Sequence, residues 1–217
     1  MSPLLEEERH LCLGKVGRIA EQLIEEVAVD FDDGAGTRAR IRPSMGGRKM
    51  PEKSPKDPVE LQRKYAIEAT WQDCRALFNS NIFSSEGARS PLFQAATVLL
   101  LINLNDLLQK ASADKARVEF SDDVDVRDRV KDVTDLVREC RNAACHIGST
   151  LSDIGFGKFR FGVLIGKCVG VTVGDEPVIK SDYEDDIAIF YGDMRLYLRR
   201  HAFRAWQEVG KALGVRM

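Results

Sequence analysis

The sequence predicts a mainly α-helical protein, an up-and-down bundle of about five helices with a small β-hairpin before the last helix. Three observations support this fold class: long segments repeat apolar residues at helical spacing, four segments open with a helix-start signal, and one segment near the C-terminus alternates as strands do. With 217 residues, the chain suits one domain over 1–217, large enough to bury a core without disulfides or a metal ion.

The first two helices are predicted on either side of a basic loop. Ser2-Pro3 can open a helix to about Val29, whose apolar residues lie at helical spacing: Leu13, Val16, Ile19, Ala20, Leu23, Ile24 and Val27. Residues 32–56 are rich in Gly, Pro, Arg and Lys and poor in apolar residues, which predicts a flexible loop. Asp57-Pro58-Val59-Glu60 combines a cap, a first-turn proline and a following carboxylate, which predicts a second helix to about Phe78.

Two further helices should form the centre of the bundle. Ser90-Pro91 opens a helix to about Ala111, and residues 92–102 are apolar almost all round, so we expect this helix to be the most buried. The fourth helix is predicted from about Val124 to Ile147. It carries an unbroken apolar stripe: Val126, Val130, Val133, Val137, Cys140, Ala144 and Ile147.

The C-terminal part changes its hydrophobic period. Residues 155–180 alternate and are interrupted by glycines, which predicts a β excursion of two or three short strands with a hairpin turn near Gly166. Ser181-Asp182-Tyr183-Glu184 has the pattern of a capping box, which predicts a last helix to about Leu213.

Composition narrows the classes of function. The formal net charge of -2 gives no global basic field, so any nucleic-acid site must be a local patch. The first fifteen residues are charged, unlike a secretory signal, and the longest apolar stretch, Ala95–Leu104, is about half the length that spans a bilayer. The five cysteines are scattered without a C-x-x-C pair, which indicates free thiols. We therefore expect a cytoplasmic protein with no membrane contact, no metal site and no cofactor.

Three polar residues at the end of the fourth predicted helix lie off its apolar stripe. Asn142 and His146 are four residues apart, which places them on one face, and the long side chain of Arg141 can reach a ligand held over the last turn. Imidazole exchanges a proton near neutral pH, guanidinium binds a phosphate oxygen, and the amide can orient the imidazole or donate to phosphate. These groups suit cleavage of an RNA phosphodiester without a metal ion.

The segment Arg141-Asn142-Ala143-Ala144-Cys145-His146 resembles the Arg-x4-His motif of the HEPN superfamily, in which Asn follows the Arg. The resemblance implies a small helical protein, commonly a homodimer, and a metal-independent endoribonuclease of toxin–antitoxin, abortive-infection or other antiviral systems. It implies catalytic roles for Arg141, Asn142 and His146, RNA as substrate, and an antitoxin or defence-system protein as partner. The predicted topology matches the family over roughly Val59 to Leu213, whereas the basic loop and the β excursion depart from its pattern and leave the subfamily open.

Two basic regions are candidates for RNA contact, and each has a plain structural alternative. The loop carries the first set, namely Arg38, Arg40, Arg42, Arg48 and Lys49; it can collect phosphates or be only a solvated connector. Arg199 belongs to a basic face of the last helix, where ion-pair networks are the common alternative. For the whole protein, the competing hypotheses are a non-catalytic helical module that binds RNA or a partner protein, and a regulatory or antitoxin subunit.

Overall fold

The computed structural model of the chain describes residues 57–146, 160–173 and 176–216. The predicted first helix, the basic loop over 32–56 and the start of the β excursion lie outside these residues. The helices are α1 (Pro58–Phe78), α2 (Leu92–Ala113), α3 (Val133–Cys145) and α4 (Arg204–Ala212), and the strands are β1 (Gly162–Ile165), β2 (Cys168–Val173), β3 (Glu176–Ser181), β4 (Ile187–Tyr191) and β5 (Met194–Tyr197). The shorter elements are two 3₁₀ turns between α1 and α2, Asn81–Phe83 and Gly87–Arg89, and a π-helix before α4, Leu198–Phe203.

The fold class predicted from the sequence is wrong. Instead of an up-and-down bundle of about five helices, the described residues contain four α-helices and five strands in two antiparallel sheets. One sheet has the strand order β1-β4-β5, and the other pairs β2 with β3. Residues of β4 pack against the helices on one face, whereas its other face contacts Ile179 of β3.

Helix α1 begins where the sequence predicts. Asp57 accepts a hydrogen bond from the backbone N–H of Val59 at 2.9 Å, and the helix runs from Pro58 to Phe78. Its buried face meets α4 through Trp71 and Trp206, whose rings stack with centroids 4.5 Å apart. Each indole N–H donates to the backbone carbonyl of the other tryptophan, at 3.3 and 3.1 Å. These reciprocal contacts join two helices that are distant in the chain.

Helix α2 is not buried all round. Its inner face carries eight buried residues, among them Leu100, Leu104 and Leu108, and packs against α1 and α3. On the outer face, however, the exposed fractions are 66% for Leu92, 48% for Leu99 and 40% for Ile102. By length and composition this helix is apolar enough to cross a membrane, but core helices of soluble proteins meet the same criterion. Of its apolar stretch, 39% is buried inside the protein.

Helix α3 is shorter than predicted and begins nine residues later, at Val133 instead of Val124. The cap is Asp132, whose carboxylate accepts the backbone N–H of Asp135 at 2.9 Å. Residues before it form a tight turn, in which Arg127 and Val130 exchange backbone hydrogen bonds. Val126, placed by the sequence on the apolar stripe, is therefore 64% exposed.

The predicted last helix, from the Ser181 capping box to Leu213, is also wrong in its first half. Residues 187–197 form β4 and β5, which pair antiparallel from Ala188 opposite Tyr197 to Tyr191 opposite Met194. Helical structure starts only at Leu198. The hairpin predicted to turn at Gly166 is not formed either, because β1 pairs with β4 and β2 pairs with β3.

Burial on both faces explains why the sequence predicts helix where the structure has β4. Its five residues are all buried: Ile187, Ile189 and Tyr191 join the core with the helices, while Ala188 and Phe190 join a second, smaller core. A strand covered on both faces shows no polar alternation and cannot be distinguished by period from a buried helix. The available signal is the Gly192-Asp193 pair between the strands. Gly192 has φ +63°, as a two-residue hairpin with glycine in its first position requires.

Asp186 joins the sheet to the last helical segment. Its carboxylate is fully buried and accepts backbone N–H groups of Ile187 at 2.8 Å, Arg199 at 2.9 Å and Arg200 at 3.0 Å. It therefore caps the π-helix from a position thirteen residues before Arg199. Burial raises the pKa of Asp186, whereas the backbone donors and the Arg200 guanidinium act in the opposite direction.

His201 lies in the π-helix and is fully buried. Its Nδ1 accepts the backbone N–H of Tyr197 at 3.1 Å, so the neutral ring carries its proton on Nε2. Burial lowers the pKa of His201 to about 4, although Asp123 and the backbone of Asp122 favour the protonated ring. The side chain is thus a structural acceptor that stays neutral at neutral pH.

We expect Gly210→Ala to destabilise the protein although alanine favours helix by about 1 kcal/mol over glycine. A Cβ at this position would lie 2.4 Å from Trp71 Nε1, so the stacked tryptophans must move. The net loss in the free energy of unfolding should be about 1–3 kcal/mol in chemical denaturation. The loss caused by Gly210→Ala should be smaller in a Trp71→Phe background, because phenylalanine lacks the indole nitrogen. An equal loss in both backgrounds would show that the clash with Trp71 is not the cause.

Stability should fall as the solution is acidified from pH 7 to pH 5. The unfolded chain protonates His201 near its ordinary pKa of 6.5, whereas the folded protein resists protonation until about pH 4, so acid favours unfolding over this window. The contribution of this residue is about 2 kcal/mol between pH 7 and pH 5. In urea denaturation, the His201→Gln variant, which keeps an acceptor for Tyr197, should lack this part of the pH dependence of the unfolding free energy. His146→Ala, a change at an exposed residue, should retain it. An unchanged pH dependence in His201→Gln would contradict the assignment.

Candidate functional site

The last turn of α3 carries the three residues that the sequence selects. The helix is fixed by its inner side, since Val133, Val137 and Cys140 are fully buried and Ala143 is 6% exposed. Thr134 also donates to the backbone carbonyl of Val118 at 2.5 Å. With this face held in the core, Arg141 and Asn142 are half-buried and His146 is exposed at the helix end.

Arg141 and Asn142 contact each other directly. Arg141 Nη1 donates to Asn142 Oδ1 at 3.2 Å, which turns the amide oxygen toward the guanidinium and leaves the amide NH₂ directed elsewhere. Arg141 Nε is buried, and no group among the described residues accepts a hydrogen bond from it. An unpaired buried donor costs about 1–3 kcal/mol, which is the type of strain that an anionic ligand or an additional chain segment relieves.

Arg141 also differs in its ion pairing from Arg138, the arginine one turn earlier on the same helix. Arg138 forms ion pairs with Asp135 at 3.0 Å and Glu139 at 3.2 Å. For Arg141, by contrast, no carboxylate within residues 57–146, 160–173 or 176–216 lies within ion-pair distance. The C-terminal end of the helix dipole favours a cation here, but it does not neutralise the charge, so the guanidinium remains a candidate phosphate-binding group.

His146 terminates α3. Its backbone N–H donates to the carbonyl of Asn142 at 3.0 Å, and its φ of -110° and ψ of 88° depart from helical values. The exposed imidazole therefore follows the Arg141–Asn142 pair by one turn. The structure brings the three predicted residues to one helix end, although helix α3 stops two residues before the predicted Ile147.

The sequence reasoning missed a buried tyrosine close to this end of α3. Tyr191, at the end of β4, is fully buried, and its hydroxyl has no hydrogen-bond partner among the described residues. Burial raises its pKa, and the nearby thiols of Cys140 and Cys145 raise it further. Only the pairing of β4 with β5 brings Tyr191 there, so no local sequence signal identifies it.

The first half of α3 borders a separate polar groove of about 660 Å³. Arg117 lies in it and donates to Asp132 and Asp135, each at 2.8 Å. Burial would raise the pKa of Asp135, but the hydrogen bonds from Arg117 and from the backbone of Lys131 lower it overall. These charges are mutually compensated, so we interpret the groove as a clamp that fixes the start of α3.

Of the basic residues predicted to contact RNA, only Arg199 lies within the described residues. Arg38, Arg40, Arg42, Arg48 and Lys49 lie outside the described residues. Arg199 does not project from a long basic helix as expected, because it is half-buried in the π-helix and its guanidinium lies 3.5 Å from Asp185. Within the described part of the chain, no three His, Cys, Asp or Glu side chains are grouped to hold a metal ion.

No protein-family model, curated protein or solved structure matches this chain. The assignment of the site therefore depends on the chemistry of Arg141, Asn142 and His146 and on their placement at the end of α3.

Proposed function

We propose that the protein is a metal-independent endoribonuclease of the HEPN type. The observation that carries the proposal is the end of α3. There Arg141, which has no carboxylate partner in the described residues, bonds to Asn142, and the exposed His146 follows one turn later. The proposal depends on the six-residue motif and not on the helical-bundle topology.

In the proposed reaction, His146 exchanges a proton with the 2′-hydroxyl or with the leaving 5′-oxygen of the RNA. The 2′-oxygen attacks the adjacent phosphorus, the bond to the 5′-oxygen breaks, and a cyclic phosphate forms. Arg141 stabilises the additional negative charge on the non-bridging oxygens. Asn142, whose oxygen is occupied by Arg141, uses its amide NH₂ to hold the phosphate. These groups supply acid–base and electrostatic catalysis without a metal ion.

The biological role proposed from the resemblance is a cytoplasmic toxin or an antiviral or abortive-infection effector. An antitoxin or another defence-system protein would then be its partner. The loop residues Arg38, Arg40, Arg42, Arg48 and Lys49 are proposed to hold the RNA backbone. Arg199 is a weaker candidate for that role because Asp185 competes for its guanidinium.

We expect His146→Ala and Arg141→Ala each to reduce RNA cleavage by at least about 100-fold, because each removes a group that acts on the phosphodiester. The measurement is cleavage of total RNA by purified protein, together with growth of cells that express each variant. Cys145→Ala is the matched control, since this exposed neighbour has no role in the reaction. His146→Ala should change the free energy of unfolding by less than about 0.5 kcal/mol.

Cleavage by the unaltered protein should persist in EDTA. Complete loss of RNA cleavage in EDTA, with activity restored by magnesium, would contradict the proposed metal-independent mechanism. If the chain binds RNA but cleaves none, and His146→Ala binds equally well, the competing hypothesis of a non-catalytic module is correct.

We also expect a homodimer in which the two motifs share one cleft. Cleavage needs both a base and an acid, and each chain supplies one imidazole at this site. A two-fold interface brings the same patch of both subunits together and doubles the available groups. Size-exclusion chromatography with light scattering should give about twice the chain mass of 24.3 kDa. A strictly monomeric protein with full activity would defeat this expectation.

A further inference from the structure

An apolar stripe runs along the side of α2 that faces away from the core. Leu92, Ala95, Leu99 and Ile102 follow one another at steps of three, four and three residues, and all four are exposed. We call them the outer stripe. The buried residues Phe93, Leu100, Leu104 and Leu107 occupy the opposite side of the same helix. A helix that is apolar on both sides is normally covered on both sides, so the outer stripe is an unpartnered surface in the described part of the chain.

We propose that the N-terminal segment of the same chain, residues 2–29, docks as a helix on the outer stripe. This segment carries its own apolar face, with Leu13, Val16, Leu23 and Val27 at helical spacing. That face is about 21 Å long as a helix, and the outer stripe is about 15 Å long, so the two lengths are compatible. Two apolar helix faces of this size bury each other and remove both from water.

The point where the described chain begins supports this occupant. α1 starts at Pro58 beside the C-terminal end of α2, because Arg63 pairs with Asp114 at 2.7 Å. From that end to Leu99 is about 21 Å along the helix. The stretch between that segment and Pro58 is rich in Gly and Pro, and an unstructured chain of its length has a root-mean-square span of about 30 Å. The segment can therefore reach the outer stripe without strain.

Two other occupants fit less well. Four side chains on one helix supply far less than the roughly 800 Å² per partner of a stable protein–protein interface, so the stripe alone does not make a dimer. A bilayer is also a poor match, because the inner face of α2 is already committed to the core and the exposed apolar strip is only about 15 Å long.

Photo-crosslinking in the full chain can identify the occupant. A benzophenone amino acid, p-benzoylphenylalanine, is placed at Leu99, and the matched control carries it at Val126, which is exposed outside α2. Mass spectrometry of the monomer band should map crosslinks from position 99 to residues 2–29, at least about ten times more often than from position 126. Crosslinks only between chains, crosslinks only to lipid when phosphatidylcholine–phosphatidylglycerol vesicles are added, or none above the control would overturn the proposal.

A second measurement uses substitution instead of crosslinking. Leu99→Asp should expose residues 2–29 and raise the rate of tryptic cleavage after Lys15 and Arg18 at least about tenfold, because docked helices are cleaved only through local opening. Val126→Asp is the matched control and should leave this rate unchanged. Equal cleavage rates in the unaltered protein and in Leu99→Asp would count against docking, and neither test depends on ribonuclease activity.

Discussion

The buried carboxylate of Asp186 is the constraint on which the C-terminal half of the fold depends. It lies where β4 begins and accepts the backbone N–H groups of Arg199 and Arg200, so it joins the sheet to the start of the last helical segment. A buried carboxylate is tolerated only when it is paired and hydrogen-bonded, and the first turn of a helix provides the required N–H groups. This requirement fixes the orientation of the π-helix and α4. Through Trp206 it also fixes the contact with α1.

The candidate site depends on a different set of fixed points along α3. Asp132 caps the start of the helix, Arg117 holds Asp132 and Asp135, and Cys140 and Ala143 anchor the inner face near its end. A helix held at both ends and along one side cannot rotate, so the exposure of His146 follows from packing and does not require contacts of its own. The site is thus built on a rigid element, which is what precise placement of catalytic groups needs.

Ion pairing distinguishes Arg141 from Arg138, the arginine one turn earlier on the same helix. Arg138 pairs with Asp135 and Glu139 on α3 itself, and Arg117 and Arg200 also have carboxylate partners. Arg141 instead bonds to an amide oxygen and has no carboxylate partner within the described residues. A guanidinium whose charge is not neutralised attracts an anion more strongly than a paired one. Arg141 is therefore the group of this helix end that is proposed to bind the RNA phosphate.

The sequence by itself determined α1, whose cap and proline are local signals, and the residues at the end of α3, whose spacing alone places them on one helix end. It identified the apolar character of α2 but not which side the core would cover. Only the tertiary structure decided that residues 187–197 are strands, because a segment buried on both faces carries no period that separates strand from helix. Tertiary structure likewise placed the cap of the π-helix at Asp186 and brought Tyr191 near the motif. Those contacts join residues far apart in the chain, and local propensity carries no information about such pairs.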